Sequence, residues 1–528
     1  MAPPATLALL LVCLGTAPTL ISGLRILGLF PFHSKSHFVM CEAVMKGLAA
    51  KGHRVDVYSH FPQSEPVPNY TDFSLEGTLE VLVNNFTHDN VVNNKALAGF
   101  LMNESTEWIR SMCKLLDHPH FEKLLNNPPQ DPPYDLVILE FALPICFVPF
   151  GRRLNVPMIG IVTVATLDDI QHPLGSPQNL ATDPSVFSEY SAPMSFTERL
   201  QNFITFHVAR VTNEFLGVAQ NNECIRKVFG PDCPGSPEIL KDFSLILINQ
   251  NKAINGIRAF TPAIVPVGGL HIVEKNETLP QDVQKWLDDS EHGCVYFSFG
   301  SMVKLETFPR PLIQQLYGAF ANIAPTRVLL RVVDRELLPD GIPSNVMIKP
   351  WLQQMQILKH KNVKVFVTHG GLMSTQEAIH YEVPMIGIPL FIDQHMNIDA
   401  YVKLKIAVRI NKNEISEESL TSALREVLGN PTYKESIRRI GRKFRDNLAN
   451  PVDTAVYWVE YVHRHGKDAL RSLLVDMPWW QIYLLDVYGV IVAAIILCVL
   501  ILYKFYLVLA VSCRSLYHKL ILKDKKNN

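Results

Sequence analysis

The beginning of the chain alternates short apolar runs with a helical pattern. The run at 24–30 (LRILGLF) predicts a buried strand, and the polar loop PFHSKS follows it. From about His37 to Ala50, apolar residues recur every three or four positions, which predicts a helix. Gly52 ends that pattern, and RVDVYS at 54–59 predicts the next strand. A strand, a helix and a strand joined by so short a crossover predict two parallel strands.

Strand-like runs recur over most of the chain and form two series. β-Branched strands that alternate with helical patterns are typical of doubly wound α/β sheets, in which ligands bind beyond the carboxyl ends of the strands. The sequence therefore predicts two α/β halves with a cleft between them. Residues 60–130 give no clear pattern, whereas 168–235 predict long loops with an apolar helix near 199–219. The first series continues at 134–139, 156–162 and 243–249, and the second comprises 294–300, 326–332, 345–350, 363–369 and 383–389.

Both ends of the chain carry long apolar runs. Residues 5–21 have the length of a signal peptide, with the small residues Ser22 and Gly23 at the cleavage position. A buried first helix is the alternative. Residues 487–503 contain no charged side chain and 505–511 continue the run, which reaches the ~20 residues that cross a bilayer. The sequence therefore predicts a secreted body with one C-terminal membrane span.

The flanks of the second run indicate its orientation. Trp479, Trp480 and Tyr483 precede it, where an aromatic belt is expected. Basic residues dominate after it, which predicts a cytoplasmic C-terminus. Lys525 and Lys526, fourth and third from the end, resemble the dilysine retrieval signal of endoplasmic reticulum membrane proteins, an ordinary basic tail being the alternative. We therefore expect a single-pass type I protein of that membrane, with its main domains in the lumen.

Sequons and composition narrow the class of protein further. Hydrophobic residues make up 48% and charged residues 19%, which excludes extensive disorder. The net charge of −1 argues against a nucleic-acid binder. Nine cysteines are too few for a disulfide scaffold, and a pairing such as Cys224 with Cys233 cannot be deduced. Candidate glycosylation sites precede the span at Asn69, Asn85, Asn103 and Asn276.

The most informative motif follows the strand at 363–369. The strand ends at Thr368, and His369-Gly370-Gly371 then turns sharply into a predicted helix. Two glycines let a phosphate approach the backbone, and the amides and dipole of a helix N-terminus favour an anion there. A tight turn with a surface histidine is the alternative for this motif alone.

Three polar side chains downstream fit a ligand that carries hydroxyl groups. Glu377 lies later on the predicted helix, where its carboxylate can accept hydrogen bonds from a ribose. Asp393 and Gln394 follow the next strand, and an acid–amide pair at a strand end is suited to sugar hydroxyls. Together with the glycine motif they predict a sugar-nucleotide site.

The segment 351–397 closely resembles the signature of the UDP-glycosyltransferases, and the resemblance extends from the N-terminal run to the dilysine tail. It implies a GT-B fold with two Rossmann-like domains that face a cleft, plus a C-terminal transmembrane helix. The acceptor would bind mainly to the first domain and the UDP-sugar to the second. The expected divisions are a signal peptide (1–23), an acceptor domain (24–265), a donor domain (266–445), C-terminal helices (446–480), a transmembrane segment (481–511) and a basic tail (512–528).

The family pattern also implies roles for individual donor-site residues. Met373 stands where many relatives have Asn, so a side-chain donor to phosphate is lost and backbone amides must carry that role. The resemblance assigns uracil to Trp351 and Gln354, the diphosphate to His369, Gly370 and Gly371, the ribose to Glu377 and the sugar to Asp393 and Gln394, and it adds Ser301, Ser374 and Arg258 to the donor site.

The polar loop after the first strand offers a catalytic base. A histidine with a pKa near 6.5 can take a proton from an acceptor hydroxyl, and the loop contains His33 and His37. The family's Ser-His base corresponds to His37. The carboxylate that supports such a base corresponds to Glu140, where many relatives have Asp, and Asp135 at the strand start is the competing candidate. The longer side chain of Glu140 leaves the geometry of the pair open.

The resemblance implies direct displacement at the anomeric carbon with inversion, without a metal ion or other cofactor. The loop and Glu140 resemble the arthropod branch of the family, which favours UDP-glucose, and UDP-glucuronic acid is the alternative donor. The expected acceptor is a small lipophilic alcohol or phenol, as in detoxification. A membrane-tethered, non-catalytic ligand binder is the competing class, and a homo-oligomer is compatible with the sequence.

Overall fold

The computed structural model describes residues 23–93, 105–141, 145–165, 167–168, 170–212, 218–274 and 277–527. The apolar run at 5–21 and the sequons at Asn103 and Asn276 lie outside these residues. The chain divides into two units, the first ending at Arg471 and the second beginning at Ser472.

The first half of the larger unit is built on a seven-stranded sheet whose neighbouring strands are parallel. Its order is β3-β2-β1-β4-β5-β6-β7, so the carboxyl ends of β1, β4 and β5 lie side by side. The strands are β1 (Arg25–Phe30), β2 (Arg54–Ser59), β3 (Tyr70–Ser74), β4 (Leu136–Glu140), β5 (Met158–Val162), β6 (Phe243–Ile248) and β7 (Ile264–Pro266).

Helices and long loops cover this sheet and bury its apolar side chains on both faces. The sequence left the disulfide pairing open. In the structure Cys113 forms a disulfide bond with Cys146, whereas Cys224 and Cys233 are free thiols. The helices are α1 (Lys35–Ala50), α2 (His88–Asn93), α3 (Ser105–Lys114), α4 (Pro119–Asn126), α5 (Phe150–Leu154), α6 (Phe196–Thr212), α7 (Val218–Phe229) and α8 (Ser236–Ile239).

The second half has a six-stranded sheet with the order β10-β9-β8-β11-β12-β13, again with parallel neighbours. Its strands are β8 (Cys294–Ser298), β9 (Arg327–Arg331), β10 (Val346–Lys349), β11 (Val363–Thr368), β12 (Met385–Gly387) and β13 (Ala407–Arg409). Its helices are α9 (Gln281–Asp288), α10 (Arg310–Ala321), α11 (Gln354–Lys359), α12 (Leu372–His380), α13 (Asp393–Lys403), α14 (Glu417–Gly429) and α15 (Pro431–Arg445).

The chain returns to the first half after α15. Helix α16 (Pro451–His465) buries Val456 and Val459 in the same core as Val44 of α1. Gly47 allows this close approach, because a Cβ there would lie 2.4 Å from Cγ1 of Val452. Val267 and Leu270, at the start of the connection between the two sheets, lie in the same core, so the return and this connection pack together.

A second segment joins the halves: residues 84–91, from the first half of the chain, contact the second half. Residues of the first half donate backbone hydrogen bonds from Asn84 to the carbonyl of Ser301 (2.8 Å) and from Phe86 to that of Met302 (3.0 Å). Val91 is buried in the core of the second half. The region 60–130, which gave no clear sequence pattern, thus supplies a strand to one half and a bridge to the other.

The second unit contains α17 (Trp479–Ile482) and α18 (Leu485–Asn527). Within α18, Leu485–Lys525 is long and apolar enough to span a membrane. The helix runs through the predicted span and continues into the basic tail, instead of ending near residue 511.

The strands predicted from the sequence are all present, and their ends agree within two residues. The short strands β3, β7 and β13 were not predicted, and β7 extends one residue past the expected boundary at 265. The apolar helix expected near 199–219 is described over Phe196–Thr212 and Val218–Phe229, which are α6 and α7. Short strands at sheet edges carry too few residues for a periodic pattern.

Candidate active site

The predicted base and its carboxylate meet at the carboxyl end of the first sheet. His37 lies in the first turn of α1, directly after β1, and Glu140 is the last residue of the neighbouring β4. Nδ1 of His37 and Oε1 of Glu140 are 2.7 Å apart. The extra methylene of Glu140 therefore does not prevent the pair from forming. A carboxylate oxygen accepts hydrogen bonds, so in this pair Nδ1 of His37 is the donor and Nε2 is left as the nitrogen that can accept.

A third side chain, which the sequence did not reveal, completes this arrangement. Thr163 follows β5, and its Oγ1 lies 2.8 Å from Nδ1 of His37 and donates to Oε1 of Glu140 at 3.2 Å. Nδ2 of the fully buried Asn249 donates to the backbone carbonyl of Thr163 at 2.9 Å. A threonine after an apolar strand was the available signal, and it is too common to identify a site.

The two competing candidates are placed differently. His33 is buried, and burial together with the charge of His60 lowers its pKa to about 4, which makes it a weak base at neutral pH. Asp135 lies at the other end of the strand, where Oδ2 accepts a hydrogen bond from the backbone of Arg25 at 2.8 Å. The geometry favours His37 and Glu140.

The predicted phosphate site lies at the carboxyl end of the second sheet. β11 ends at Thr368, Gly370 adopts a φ of +91° and α12 begins at Leu372. The imidazole of His369 lies between two glycine backbones, since a Cβ on Gly300 or on Gly371 would come within 2.7 Å of the ring. Positions 300 and 371 therefore accommodate only glycine as long as His369 keeps this position.

His369 is neutral at physiological pH. Burial and the charge of Arg331 lower its pKa to about 4. Among the described residues, its buried Nδ1 has no hydrogen-bond partner. A neutral imidazole beside the amides of a helix N-terminus can donate one hydrogen bond, from its single ring N–H, to an anionic ligand.

The residues assigned to uracil and ribose lie together. Nε2 of Gln354, at the start of α11, donates to Oε2 of Glu377 at 2.7 Å. The hydroxyl of Tyr296 donates to Oε1 of Gln354 at 3.2 Å. Trp351 precedes this pair and is 58% exposed, as a stacking platform must be. The guanidinium of Arg331 lies 5.5 Å from the centre of that ring.

Arg331 was not predicted as a site residue. It is the last residue of β9 and is buried, and this burial lowers its pKa. Nη1 donates to the carbonyl of Gly300 and Nη2 to Oδ1 of Asn84, each at 2.5 Å. A charged residue within the apolar run 326–332 was the signal that could have identified it. Arg331 thus links the bridge from the first half to the turn beside His369.

The pair assigned to the sugar begins a helix, not a loop as its position after a strand suggested. Asp393 and Gln394 are the first two residues of α13, and Ile392 before them has a φ of +49°, a strained conformation for a β-branched residue. Oε1 of Gln394 accepts from the backbone of Leu390 (2.9 Å) and Phe391 (3.2 Å), which leaves its amide group for a ligand. Such strain is frequent at functional sites.

Asp393 connects this pair to the base. Burial raises its pKa, and a hydrogen bond from Asn397 at 2.9 Å and the charge of His37 oppose that shift. The charge of His37 therefore acts on Asp393, so the pair assigned to the sugar in the second half lies within electrostatic range of the predicted base in the first half. Nδ2 of Asn397 also donates to the carbonyl of Gly370 at 3.2 Å, so α13 is tied to the phosphate turn.

The position that departs from the family pattern has a structural role. The side chain of Met373 packs against the core of the first half, and its carbonyl accepts a hydrogen bond from Nε2 of His271 at 3.2 Å. Ser374 follows it on α12 and is partly buried. Met373 therefore contributes to the contact between the halves in place of a side-chain donor to phosphate.

The remaining predicted residues lie at different places. Ser301 directly follows Gly300, beside His369. Arg258 is buried in the first half, where its Nε lies 3.8 Å from Oδ1 of Asp183; burial lowers its pKa, opposed by Asp183 and Asp168.

Within the described residues, one cluster has potential metal ligands within reach of one another, and two of its members form the disulfide: Cys113, Cys146 and Cys224.

Comparison with known proteins agrees with this geometry. The chain is 34% identical over 488 residues to "UDP-glucosyltransferase 2" of Dactylopius coccus, covering 91% of each chain. It is 30% identical to "UDP-glucuronosyltransferase 2B15" of Rattus norvegicus, covering 93% of each. The solved structure of the glycotransferase of kitacinnamycin, at 17% identity, has the same fold with a TM-score of 0.53 over 83% of this chain and 98% of that one. The sequence model of the UDP-glucoronosyl and UDP-glucosyl transferase family matches residues 33–526, and the chain belongs to this family of UDP-glycosyltransferases.

Proposed function

We propose that this UDP-glycosyltransferase moves glucose, with inversion, from UDP-glucose to a hydroxyl group of a small lipophilic acceptor. The observation that carries the proposal is the contact of His37 with Glu140 and Thr163, and the charge of His37 also acts on Asp393 of the other half. A direct displacement requires a general base, here His37 supported by Glu140, close to the groups that hold the sugar, here Asp393 and Gln394.

The mechanism follows from the atoms that face the cleft. Nε2 of His37 takes the proton of the acceptor hydroxyl, and Glu140 stabilises the imidazolium that forms. The acceptor oxygen attacks the anomeric carbon while the bond between that carbon and the UDP oxygen breaks. The attack comes from the side opposite the leaving group, so the configuration at the anomeric carbon inverts. UDP leaves with its charge held by the amides of Gly371 and the start of α12, and no metal ion is expected to be needed.

The donor is the finer part of the proposal. The resemblance to the arthropod branch favours glucose, and the 34% identity to a Dactylopius coccus UDP-glucosyltransferase supports it. UDP-glucuronic acid is the alternative, since a rat UDP-glucuronosyltransferase is 30% identical. Donor competition with both nucleotides decides between them, and a preference for UDP-glucuronic acid would overturn glucose.

Location and acceptor are proposed on broader grounds. The apolar helix Leu485–Lys525 supports a membrane span, and the basic tail supports a cytoplasmic C-terminus with the catalytic halves in the endoplasmic reticulum lumen. A lipophilic phenol or alcohol fits residence at a membrane and a role in detoxification. Asn69, Asn85, Asn103 and Asn276 are then the candidate glycan sites.

The test is UDP release with each donor and a panel of phenols. His37→Ala is expected to reduce turnover by about 10³-fold or more while UDP affinity stays unchanged. His292→Ala, at an exposed histidine of the second half, is the matched control and should retain full activity. Unchanged turnover in His37→Ala would remove this residue from the mechanism. UDP binding without UDP release for any acceptor would favour the non-catalytic binder, the class that the departures from the family pattern at Glu140 and Met373 favour.

A further inference from the structure

The segment that connects the two sheets is packed into the interior. It follows β7, and we define residues 267–272 as the linker. Val267 and Leu270 are buried in the core of the first half, whereas Ile272 packs against a core of the second half. The side chain of His271, between Leu270 and Ile272, is only 2% exposed. The linker therefore places a buried imidazole at the junction of the two halves.

Backbone hydrogen bonds fix the linker on both sides. The backbone N of Gly268 donates to the carbonyl of Gln250, shortly after β6, at 2.9 Å. The backbone N of Gly269 donates to Oε1 of Gln376 on α12 at 3.1 Å. Gly269 has a φ of +87°, a conformation that favours glycine. The position of His271 relative to α12 is therefore set by contacts within two residues of it.

Nε2 of His271 faces the carboxylate that is assigned to the ribose. It donates to the carbonyl of Met373 at 3.2 Å, and because a carbonyl oxygen only accepts, Nε2 carries a proton. The same nitrogen lies 3.5 Å from Oε1 of Glu377, about one turn further along α12. This distance is too long for a strong hydrogen bond, but the N–H still attracts the carboxylate. His271 thus restrains Oε1 of Glu377 from the linker.

The second oxygen of Glu377 has a different partner. Oε2 accepts a hydrogen bond from Nε2 of Gln354 at 2.7 Å. A carboxylate has about four acceptor sites, so both oxygens retain capacity for a ligand. The side chain is 13% exposed, which leaves part of it accessible. A carboxylate that is already oriented through both oxygens loses less rotamer freedom when two neighbouring hydroxyl groups bind to it.

We propose that His271 is a positioning residue of the donor site, which holds Glu377 in the orientation that accepts hydrogen bonds from the two ribose hydroxyls. This role rests on the proposed function, in which Glu377 binds the ribose of the UDP-sugar. His271 acts through Glu377 and has no part in the proton transfer. The linker thereby contributes to donor recognition as well as joining the two halves.

Nucleotide binding separates this role from a general structural one. UDP is compared with 2′,3′-dideoxyuridine 5′-diphosphate, which lacks both ribose hydroxyls, by isothermal titration of the full-length protein in detergent. His271→Leu removes the N–H and keeps a buried apolar side chain. It should weaken UDP binding by about tenfold and leave binding of the dideoxy nucleotide unchanged. An equal loss for both nucleotides would show a structural role only and overturn the proposal, as would no loss for either.

Two amide variants form a matched pair that keeps a polar side chain at this position. His271→Gln returns an N–H near the position of Nε2 and should restore most of the preference for UDP. His271→Asn ends near Nδ1 and should lose the preference, as the Leu variant does. Equal preference in the two amide variants would contradict a role of Nε2. His292→Leu, at an exposed histidine of the second half, is the control and should leave both affinities unchanged.

A double-mutant cycle tests whether the effect passes through Glu377. In a Glu377→Gln background, His271→Leu should cause no further loss of the preference for UDP, because the charge on which it acts is absent. A further tenfold loss there would overturn the proposal.

The outcomes of this test do not depend on turnover. Equal binding of UDP and the dideoxy nucleotide by the wild type would overturn both the ribose assignment of Glu377 and the role of His271, whereas UDP release would still support the proposed function. The expected binding pattern without UDP release for any acceptor would overturn the proposed function and leave the role of His271 intact.

Discussion

Oγ1 of Thr163 lies 2.8 Å from Nδ1 of His37, at the point where three neighbouring strands of the first sheet end. The same hydroxyl donates to Oε1 of Glu140. It therefore fixes the position of the carboxylate, and the carboxylate in turn orients the imidazole of His37. Thr163 is therefore a positioning residue for the proposed base. It acts through Glu140 and His37 and is itself fixed by Asn249.

Replacing Thr163→Val keeps the shape of the side chain and removes the hydroxyl. We expect kcat to fall about tenfold or more, because a hydrogen bond to a charged group is worth about 1.5–3 kcal/mol. KM for the donor should change little, since Thr163 lies in the first half and the donor is assigned to the second. Thr163→Ser restores the hydroxyl and should recover most of the activity. Equal kcat in the Val variant and the wild type would show that the hydroxyl has no part in positioning.

Glu140 fixes the tautomer of His37, and this predicts a difference between two substitutions. Glu140→Gln keeps the length but allows the amide to hold the wrong tautomer, and we expect kcat to fall about 10³-fold or more. Glu140→Asp keeps the charge but cannot reach Nδ1 at the observed 2.7 Å without movement, so an intermediate loss is expected. Steady-state kinetics with one donor and one phenol measures both. An Asp variant as active as the wild type would mean that the local structure adapts to the shorter side chain.

A clamp joins the first half to α13, the helix that begins with the pair assigned to the sugar. Ser191 donates from its backbone N and from Oγ to Oδ2 of Asp399 on α13, each at 2.8 Å, and Lys403 donates to the Ser191 carbonyl at 2.5 Å. Because these bonds fix α13, Asp399→Ala should raise KM for the UDP-sugar severalfold and leave UDP affinity unchanged. Asp289→Asn, at an exposed carboxylate of the second half, is the control. Parallel losses of UDP and UDP-sugar binding would indicate general damage to the second half instead.

The two described sequons differ in accessibility. Asn69 is exposed directly before β3, whereas Oδ1 of Asn85 is buried. Nδ2 of each donates to a backbone carbonyl, that of Ala49 at 3.2 Å for Asn69 and that of Val81 at 3.1 Å for Asn85. We expect a glycan on Asn69 and none on Asn85 when the chain is produced in a secretory pathway. Peptide mapping after enzymatic deglycosylation measures the occupancy of each. A high occupancy at Asn85 in active enzyme would contradict the buried arrangement beside the bridge at Ser301.

The depressed pKa of His369 predicts the direction of a pH effect on stability. Its pKa is about 4 in the folded chain and 6.5 for the ordinary side chain, so between these values the unfolded chain binds a proton that the folded chain does not. This contribution is present above pH 6.5 and is lost as the pH falls toward 4. From pH 7 to pH 5, His369→Asn should lose less unfolding free energy than the wild type, by about 1–2 kcal/mol. Denaturant titrations of detergent-solubilised protein at both pH values measure this difference, and equal losses would contradict it.

Individual residues show which parts of the candidate site could be predicted from the sequence. His37 and Glu140 were chosen from loop and strand ends and from the family pattern, and the structure brings them to 2.7 Å. Gln354 and Glu377 were assigned separately, and they hydrogen-bond to each other at 2.7 Å. Thr163 and Arg331 were missed, since each reaches its partners only through the parallel order of the strands. Arg258 keeps its assignment near the donor as a prediction, with Asp183 as its observed neighbour.

The sequence by itself determined the features that depend on neighbouring residues. These are the strand and helix periods, the glycine turn at Gly370 before α12, and the apolar helix Leu485–Lys525. The tertiary structure alone decided which distant residues meet: the return of α16 to α1, the clamp of Asp399 on Ser191, and the contact of His271 with Glu377. The physical reason is that periodicity and turn preference act over a few residues. Hydrogen bonds such as those of His271 and Thr163 depend on packing between segments far apart in the chain.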